Sequence, residues 1–200
     1  MNAASDKTTP EAPQLLSDVD RVTLLQTAAA SISYGLTHRV PSPITLSQFA
    51  PTLHVERATF VTLRIGEQLR GCIGSLYARR PLVTDVTENA FSAAFRDKRF
   101  SPLTAEEFAQ LNYHISVLHP PQVIHAASRA DLITQLRPGI DGLILEEAKA
   151  NKRATFLPDV WETLGQPEQF LSQLMKKGGW PDHDWPTDLK ISRYTTEGFG

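Results

Sequence analysis

Apolar residues along the chain fall into short runs whose spacing switches repeatedly between a helical period and a strand period. Ser17 stands as an N-cap before a first turn rich in acid. Val22, Leu25, Ala29, Ile32 and Leu36 then recur at steps of three and four, which predicts an amphipathic helix. After the proline-punctuated "VPSPITLSQFAP", the segment "ATFVTLRIGEQLRGCIGSL" predicts a β-hairpin. Phe60, Val61, Leu63 and Ile65 make one strand, Gly66-Glu67 turns the chain, and Leu69 to Leu76 return. Pro81 sits where helices open, and Leu82, Val86, Ala90 and Ala93 or Ala94 form the stripe of a second helix. Thr104 caps a short acidic helix, and "LNYHISVLHPP" is a strand stopped by two prolines.

Further on, Ser128 with Asp131 caps another short helix, broken at Pro138-Gly139. "LILEE" and "RATFL" flank the polar "AKANK" as a second hairpin. "PEQFLSQLMKKGGW" is a helix with lysines in its last turn and Gly178 in the stop position. "LKISRYTT" closes the chain as an edge strand. Because the strands arrive mostly as hairpins, the fold class expected is α+β, a mainly antiparallel sheet flanked by helices. Residues 1–14, rich in Ala, Thr, Pro and charge, read as a disordered or loosely docked lead-in, and residues 15–200 as a single domain.

Composition narrows the function classes. With 41% hydrophobic and 21% charged residues, the 200-residue chain has an ordinary globular make-up. Twenty basic against 22 acidic residues leave a net charge of -2, so no basic surplus calls for nucleic acid or anionic lipid. No apolar run approaches the ~20 residues that span a bilayer, the N-terminus does not read as a secretory signal, and one cysteine fits a reducing compartment. The chain is expected to be cytoplasmic, with neither nucleic acid nor membrane as partner.

That cysteine, Cys72, lies in "LRGCIG". On a regular strand Arg70 and Cys72 share a face, and a guanidinium beside a thiol favours the reactive thiolate. Gly71 and Gly74 weaken a strand unless something needs close backbone approach, and exposed amides there would suit an oxyanion. Equally, a lone cysteine is often a small buried apolar residue. None of the six histidines is spaced i, i+2 or i, i+4, so no local metal site is signalled, although distant ligands can converge. His114 and His119 fall on opposite faces of their strand, where one could reach Cys72 across a sheet. In "FRDKRF", Arg96 and Arg99 with Asp97 could hold an anionic ligand or a partner's carboxylates. As structure, they complement a helix C-terminus. "ATFLPDVW" reads as core and corner. "WPDHDWP" is a recognition loop or lid, or a loop stapled down by its tryptophans. No phosphate loop, Ser-His-Asp elbow or CxxC pair is present.

"FVTLRIGEQLRGCIGSL", "PLVTDVTENAFSAAFRDKRFSPL", "ISVLHPP", "GIDGLILEEAKANKRATFLPDVW" and "FLSQLMKKGGW", in that order from about Leu15 to Tyr194, resemble the AMMECR family. Its microbial members are called AmmeMemoRadiSam system protein A. The resemblance implies a larger sheet-and-helix lobe and a smaller lobe, with the hallmark Leu69, Arg70, Gly71, Cys72, Ile73 and Gly74 near the groove between them. It also implies association with a Memo protein, akin to non-haem iron dioxygenases, and with a radical SAM protein, but no agreed cofactor. "KKGGW" and "LHPP" depart mildly from the family pattern, both outside the hallmark. Two functions follow. The chain is an enzyme, or part of a modification pathway, with Cys72 as nucleophile and Arg70 activating it. Alternatively it is a non-catalytic subunit binding a small molecule, peptide or partner, in which Cys72 is structural. Leu69, Gly71, Ile73, Gly74, Arg96, Asp97 and Arg99 would then complete a binding surface.

Overall fold

The computed structural model describes residues 15–181 and 185–200, so the expectation for residues 1–14 lies outside it. Among the described residues the order is α1 (Asp18–His38), β1 (Thr59–Ile65), β2 (Gln68–Gly74), α2 (Leu82–Phe95), α3 (Ala105–Phe108), β3 (Leu111–Leu118) and β4 (Gln122–Ile124). Then come α4 (Arg129–Gln135), β5 (Gly142–Glu147), β6 (Lys152–Phe156), α5 (Pro167–Gly178), β7 (Lys190–Tyr194) and β8 (Thr196–Phe199). The strands form two four-stranded antiparallel sheets, ordered β2-β1-β3-β8 and β4-β7-β5-β6, so the fold is α+β as expected. No helix among the described residues is long and apolar enough to cross a membrane.

Locally encoded features stand where the spacing puts them. Ser17 and Asp20 close a capping box on α1, Thr104 and Glu107 another on α3, and Ser128 caps α4. The first hairpin turns on Gly66-Glu67, with Gly66 at φ 56°, the positive value that a two-residue turn of this kind needs at its first position. The α2 stripe of Leu82, Val86, Ala90, Ala93 and Ala94 is wholly buried.

Three expectations are corrected. The buried face of α1 is Leu24, Ala28 and Ile32 with Thr27, Ser31 and Gly35, while Val22 is exposed. The helix is rotated because its small polar side packs on α2: Ser31 Oγ donates to the Thr87 carbonyl at 2.9 Å, and Phe91 and Phe95 lie over Gly35. The strand of "LKISRYTT" is not an edge: β7 runs between β4 and β5. The terminal Thr196–Phe199 then crosses to the other sheet as its edge strand β8. Finally, α5 stops at Gly179 in the left-handed region (φ 78°), one residue later than expected, because Gly178 lies flush against the Trp180 ring.

Two buried clusters result. One lies between α1, α2 and the first sheet, with Val61, Leu63, Ile115 and Val117 at its centre. The other lies between α4, α5 and the second sheet, around Leu143, Leu145, Phe170, Leu171, Leu174 and Met175. A third, of Ala58, Leu118, Ile144 and Tyr194, joins the two sheets, and Phe60, Leu76 and Leu157 pack at its margin. The chain crosses between sheets from β3 to β4 and from β7 to β8, and His119 N–H donates to the Thr195 carbonyl at 2.9 Å where the crossings meet.

Candidate functional site: the surroundings of Cys72

Register decides which way Cys72 faces. Val61 pairs with Ile73 and Leu63 with Gly71, and both β1 residues are fully buried under α2. Alternation sends the intervening pair, Thr62 and Cys72, to the opposite face, toward the second sheet. There Thr62 Oγ1 donates to Cys72 Sγ at 3.3 Å, and the cysteine is half-buried. His114 on β3 is the next residue across from Thr62. Two strand spacings of about 4.8 Å separate it from Cys72, too far for a direct hydrogen bond between short side chains. His114 instead lies 3.9 Å from Asp159, in the short turn of Pro158–Glu162 beyond β6.

Two cations lie near Cys72. Lys177, on the last turn of α5, donates to the Thr155 carbonyl at 3.0 Å and lies over the Phe156 ring. Burial holds its pKa below the ordinary lysine value, Arg99 adds to that, and the Cys72 sulfur opposes it. Its position in "KKGG" reads from the sequence only as favourable charge at a helix end, with no sign that it lies near Cys72. Spacing could not have shown it, because α5 and β2 are joined only through the packing of the two sheets.

Arg99 is the guanidinium that engages the hallmark. Asp97 Oδ2 accepts the Cys72 N–H at 3.0 Å, and Arg99 Nη2 donates to the Cys72 carbonyl at 3.2 Å. Arg99 and Asp97 also bind each other, Nη2 to Oδ2 at 2.6 Å and Nε to Oδ1 at 2.9 Å. Since β2 is an edge strand, this pair does for Cys72 what a neighbouring strand would have done. The expectation that the Gly71–Gly74 backbone offers oxyanion donors therefore loses the Cys72 amide, which a carboxylate already holds. Arg96 takes a different role, its guanidinium lying 4.8 Å over the Phe91 ring.

Arg70 does not share a face with Cys72 as simple alternation predicts. Leu63 pairs with Gly71 but Arg64 pairs with Leu69, so Arg70 is the extra residue of a β-bulge. Its guanidinium is bound by Glu107, Nε to Oε1 at 2.8 Å and Nη2 to Oε2 at 2.9 Å, and by the Ser101 carbonyl at 2.9 Å. The Glu107 carboxyl is accordingly drawn down to about 2, chiefly by Arg70. Gly71 is required by packing, since a Cβ there would stand 2.2 Å from the Ala93 carbonyl oxygen on α2. Leu69 is exposed and Ile73 packs against the first core. Trp180 is buried with Nε1 donating to Glu147 Oε2 at 2.7 Å, and Trp185 packs on the second core. That is the stapled form of the tryptophan loop, whose residues 182–184 lie outside the described residues. Among the described residues, no three His, Cys, Asp or Glu side chains come together as a metal would need.

The clamp on Cys72 has a testable pH signature. Arg99 holds the Asp97 carboxyl well below the usual carboxylate range, and the Cys72 amide adds to this against the opposing effect of burial. A depressed carboxylate contributes stability that is complete above its unfolded pKa of about 3.9 and is lost as pH falls through the folded value. Asp97→Asn is expected to destabilise the protein at pH 7 by about 2 kcal/mol. In urea melts the gap to wild type should hold down to about pH 4 and shrink toward pH 2. A gap of constant size across that range would show that the charge on Asp97 contributes nothing.

Comparison with known proteins agrees with this architecture. The AMMECR1 family model matches residues 25–199. A protein from Methanothermobacter thermautotrophicus is 38% identical over 145 residues, covering 72% of this chain and 74% of that one. One from Thermotoga maritima is 34% identical over 140 residues, covering 69% and 74%. The crystal structure of the uncharacterised protein PH0010 from Pyrococcus horikoshii superposes with a TM-score of 0.78 at 31% identity, over 88% of each chain.

Proposed function

The chain belongs to the AMMECR1 family, and from that premise we propose that it is a component of a Memo and radical SAM-associated modification pathway. In this reading it binds its substrate in the groove between the two sheets and uses Cys72 as nucleophile. The observation that carries the proposal is the company of the sulfur on that face. The Thr62 hydroxyl donates to it at 3.3 Å, and both Lys177 and Arg99 are close enough for their charges to interact with it. Donors and cations around a thiol favour its nucleophilic form. The thiol proton would pass to water, with Lys177 and Arg99 as the cations near the thiolate that forms. Sulfur would bond to an electrophilic carbon of the substrate, and the leaving group would depart with the bonding pair. The Memo-type and radical SAM partners follow from the family resemblance of the sequence.

Alkylation of Cys72 in the folded protein tests the chemistry. Iodoacetamide labelling is expected at least as fast as in the unfolded chain, and Lys177→Ala should slow it, since a cation near the sulfur is lost. Labelling that waits for unfolding would remove the nucleophile.

A second reading, a binding subunit with a structural cysteine, is favoured by one specific observation. Asp97 and Arg99 occupy both backbone groups of Cys72, so the hallmark is held as architecture. It predicts that Cys72→Ser keeps partner binding and pathway output.

A further inference from the structure

Along the same face of the first hairpin, two residues beyond Cys72, lies a cleft of about 560 Å³. Phe60, Gly74, Ser75, Leu76 and Tyr77 line it from the first sheet and the segment after β2, Arg79 and Arg80 from just before α2, and Arg153 and Thr155 from β6. Its size is that of a small-molecule site. Thr155 joins it to the Cys72 region, because its carbonyl holds Lys177 while the residue also lines the cleft.

The charge in this cleft is unbalanced. Among the described residues that line it, the one carboxylate is Asp85, buried and satisfied from within, with Arg80 bound to Oδ1 through Nη2 at 2.7 Å and Nε at 3.1 Å. That pair cancels. Arg79 and Arg153 remain, both exposed, and neither forms an ion pair among the described residues. Arg153 lies 5.9 Å over the Tyr77 ring. Burial first, and then a hydrogen bond to Glu146, the cross-strand neighbour of Arg153, push the Tyr77 hydroxyl up to about 12, while Arg153, also bonded to that hydroxyl, opposes the shift. Arg79 and Arg80 also precede the N-terminus of the 14-residue α2, where the helix dipole favours an anion. Two surplus guanidinium groups match the charge of about -2 on a phosphate monoester near neutral pH. Phe60 and Leu76, part of the apolar margin joining the sheets, supply a wall for an uncharged body.

We infer that this cleft binds a phosphomonoester with an apolar body, its phosphate held by Arg79 and Arg153 and its other end directed along β2 toward Cys72. Phosphate recognition stands on the cleft alone; only the direction of the reacting end rests on the groove reading above. The substrate class is thus an organic phosphate whose electrophilic carbon lies a strand's pleat away from its phosphate, since residues two apart on a strand are separated by about 6.6 Å.

Phenyl phosphate is the probe, titrated calorimetrically into the full-length protein at fixed ionic strength, with phenol and inorganic phosphate alongside. Saturable one-to-one binding is expected, tighter than to either part alone, and about tenfold weaker in each of Arg79→Gln and Arg153→Gln. Both arginines are exposed, so thermal melts of the variants should match wild type. Cys72→Ser should bind the probe unchanged, and bound probe should slow alkylation of Cys72 in the wild-type protein. No saturable binding, or equal affinity in the arginine variants, overturns the inference. Probe binding with an inert Cys72 would keep the cleft and discard the nucleophile, whereas a reactive Cys72 without probe binding would do the reverse.

Discussion

Gly71→Ala is expected to lower the melting temperature by about 6–12 °C, corresponding to ~3 kcal/mol in a protein of this size. The new Cβ would meet the Ala93 carbonyl oxygen at 2.2 Å and the carbonyl carbon at 3.0 Å. Both are backbone atoms of a helix, so no side-chain rotation relieves the contact, and β2 must move off α2 by more than 1 Å. That motion would carry further than packing. Asp97 lies just past the end of α2, and the hydrogen bond from Cys72 N–H to its carboxylate spans the same gap. Cys72→Ser is near-isosteric at a half-buried site and should cost less than ~1 kcal/mol. The ordering is what the close approach requires: the glycine matters more to the fold than the thiol. Thermal melts of the two variants decide it, and a Gly71→Ala protein melting within a degree or two of wild type would mean that the sheet and helix are not in such contact.

Those same few residues show what was legible in the sequence. The hairpin, its turn, the three capped helices and the α2 stripe were, because each depends on residues within a few positions of one another. The face of α1 was not, since Ser31 and Gly35 look unremarkable until α2 supplies the Thr87 carbonyl and the Phe91 and Phe95 rings. Nor was the central place of β7, because strand neighbours are chosen across the whole chain. At the site, a single bulged residue changed which arginine serves the hallmark. The alternation rule aims Arg70 at Cys72. One extra residue between Leu69 and Gly71 gives Arg70 to Glu107 and leaves Cys72 to Arg99, 27 positions away in sequence. Lys177 comes from farther still, on a helix of the other sheet.

Asp85→Ala is expected to be the most damaging single substitution, at about 3–5 kcal/mol, the cost of removing a buried carboxylate that several neutral donors and one arginine share. The carboxylate is 1% exposed, and its oxygens gather donors from four separate segments. Oδ2 accepts Thr59 N–H at 2.9 Å, Thr59 Oγ1 at 2.7 Å, Asn89 Nδ2 at 2.8 Å and Ser75 Oγ at 3.0 Å, while Oδ1 takes Arg80. Truncation would leave the buried Thr59 amide without its partner and take from Asn89 one of three acceptors, the Thr59 carbonyl and hydroxyl remaining. Against a total stability of about 5–15 kcal/mol for a typical domain, most of the margin could go. Arg80, being partly exposed, can find water, so Asp85→Ala/Arg80→Ala should recover only a minor share, and a double-mutant cycle in urea would measure it. Because Asp85 fixes the start of β1, the end of β2 and the arginine before α2 together, losing it should also abolish phenyl phosphate binding while the second core around Phe170 and Leu174 stays intact. Full recovery in the double variant would mean that Arg80 alone needs Asp85, and that the strands hold their places without it.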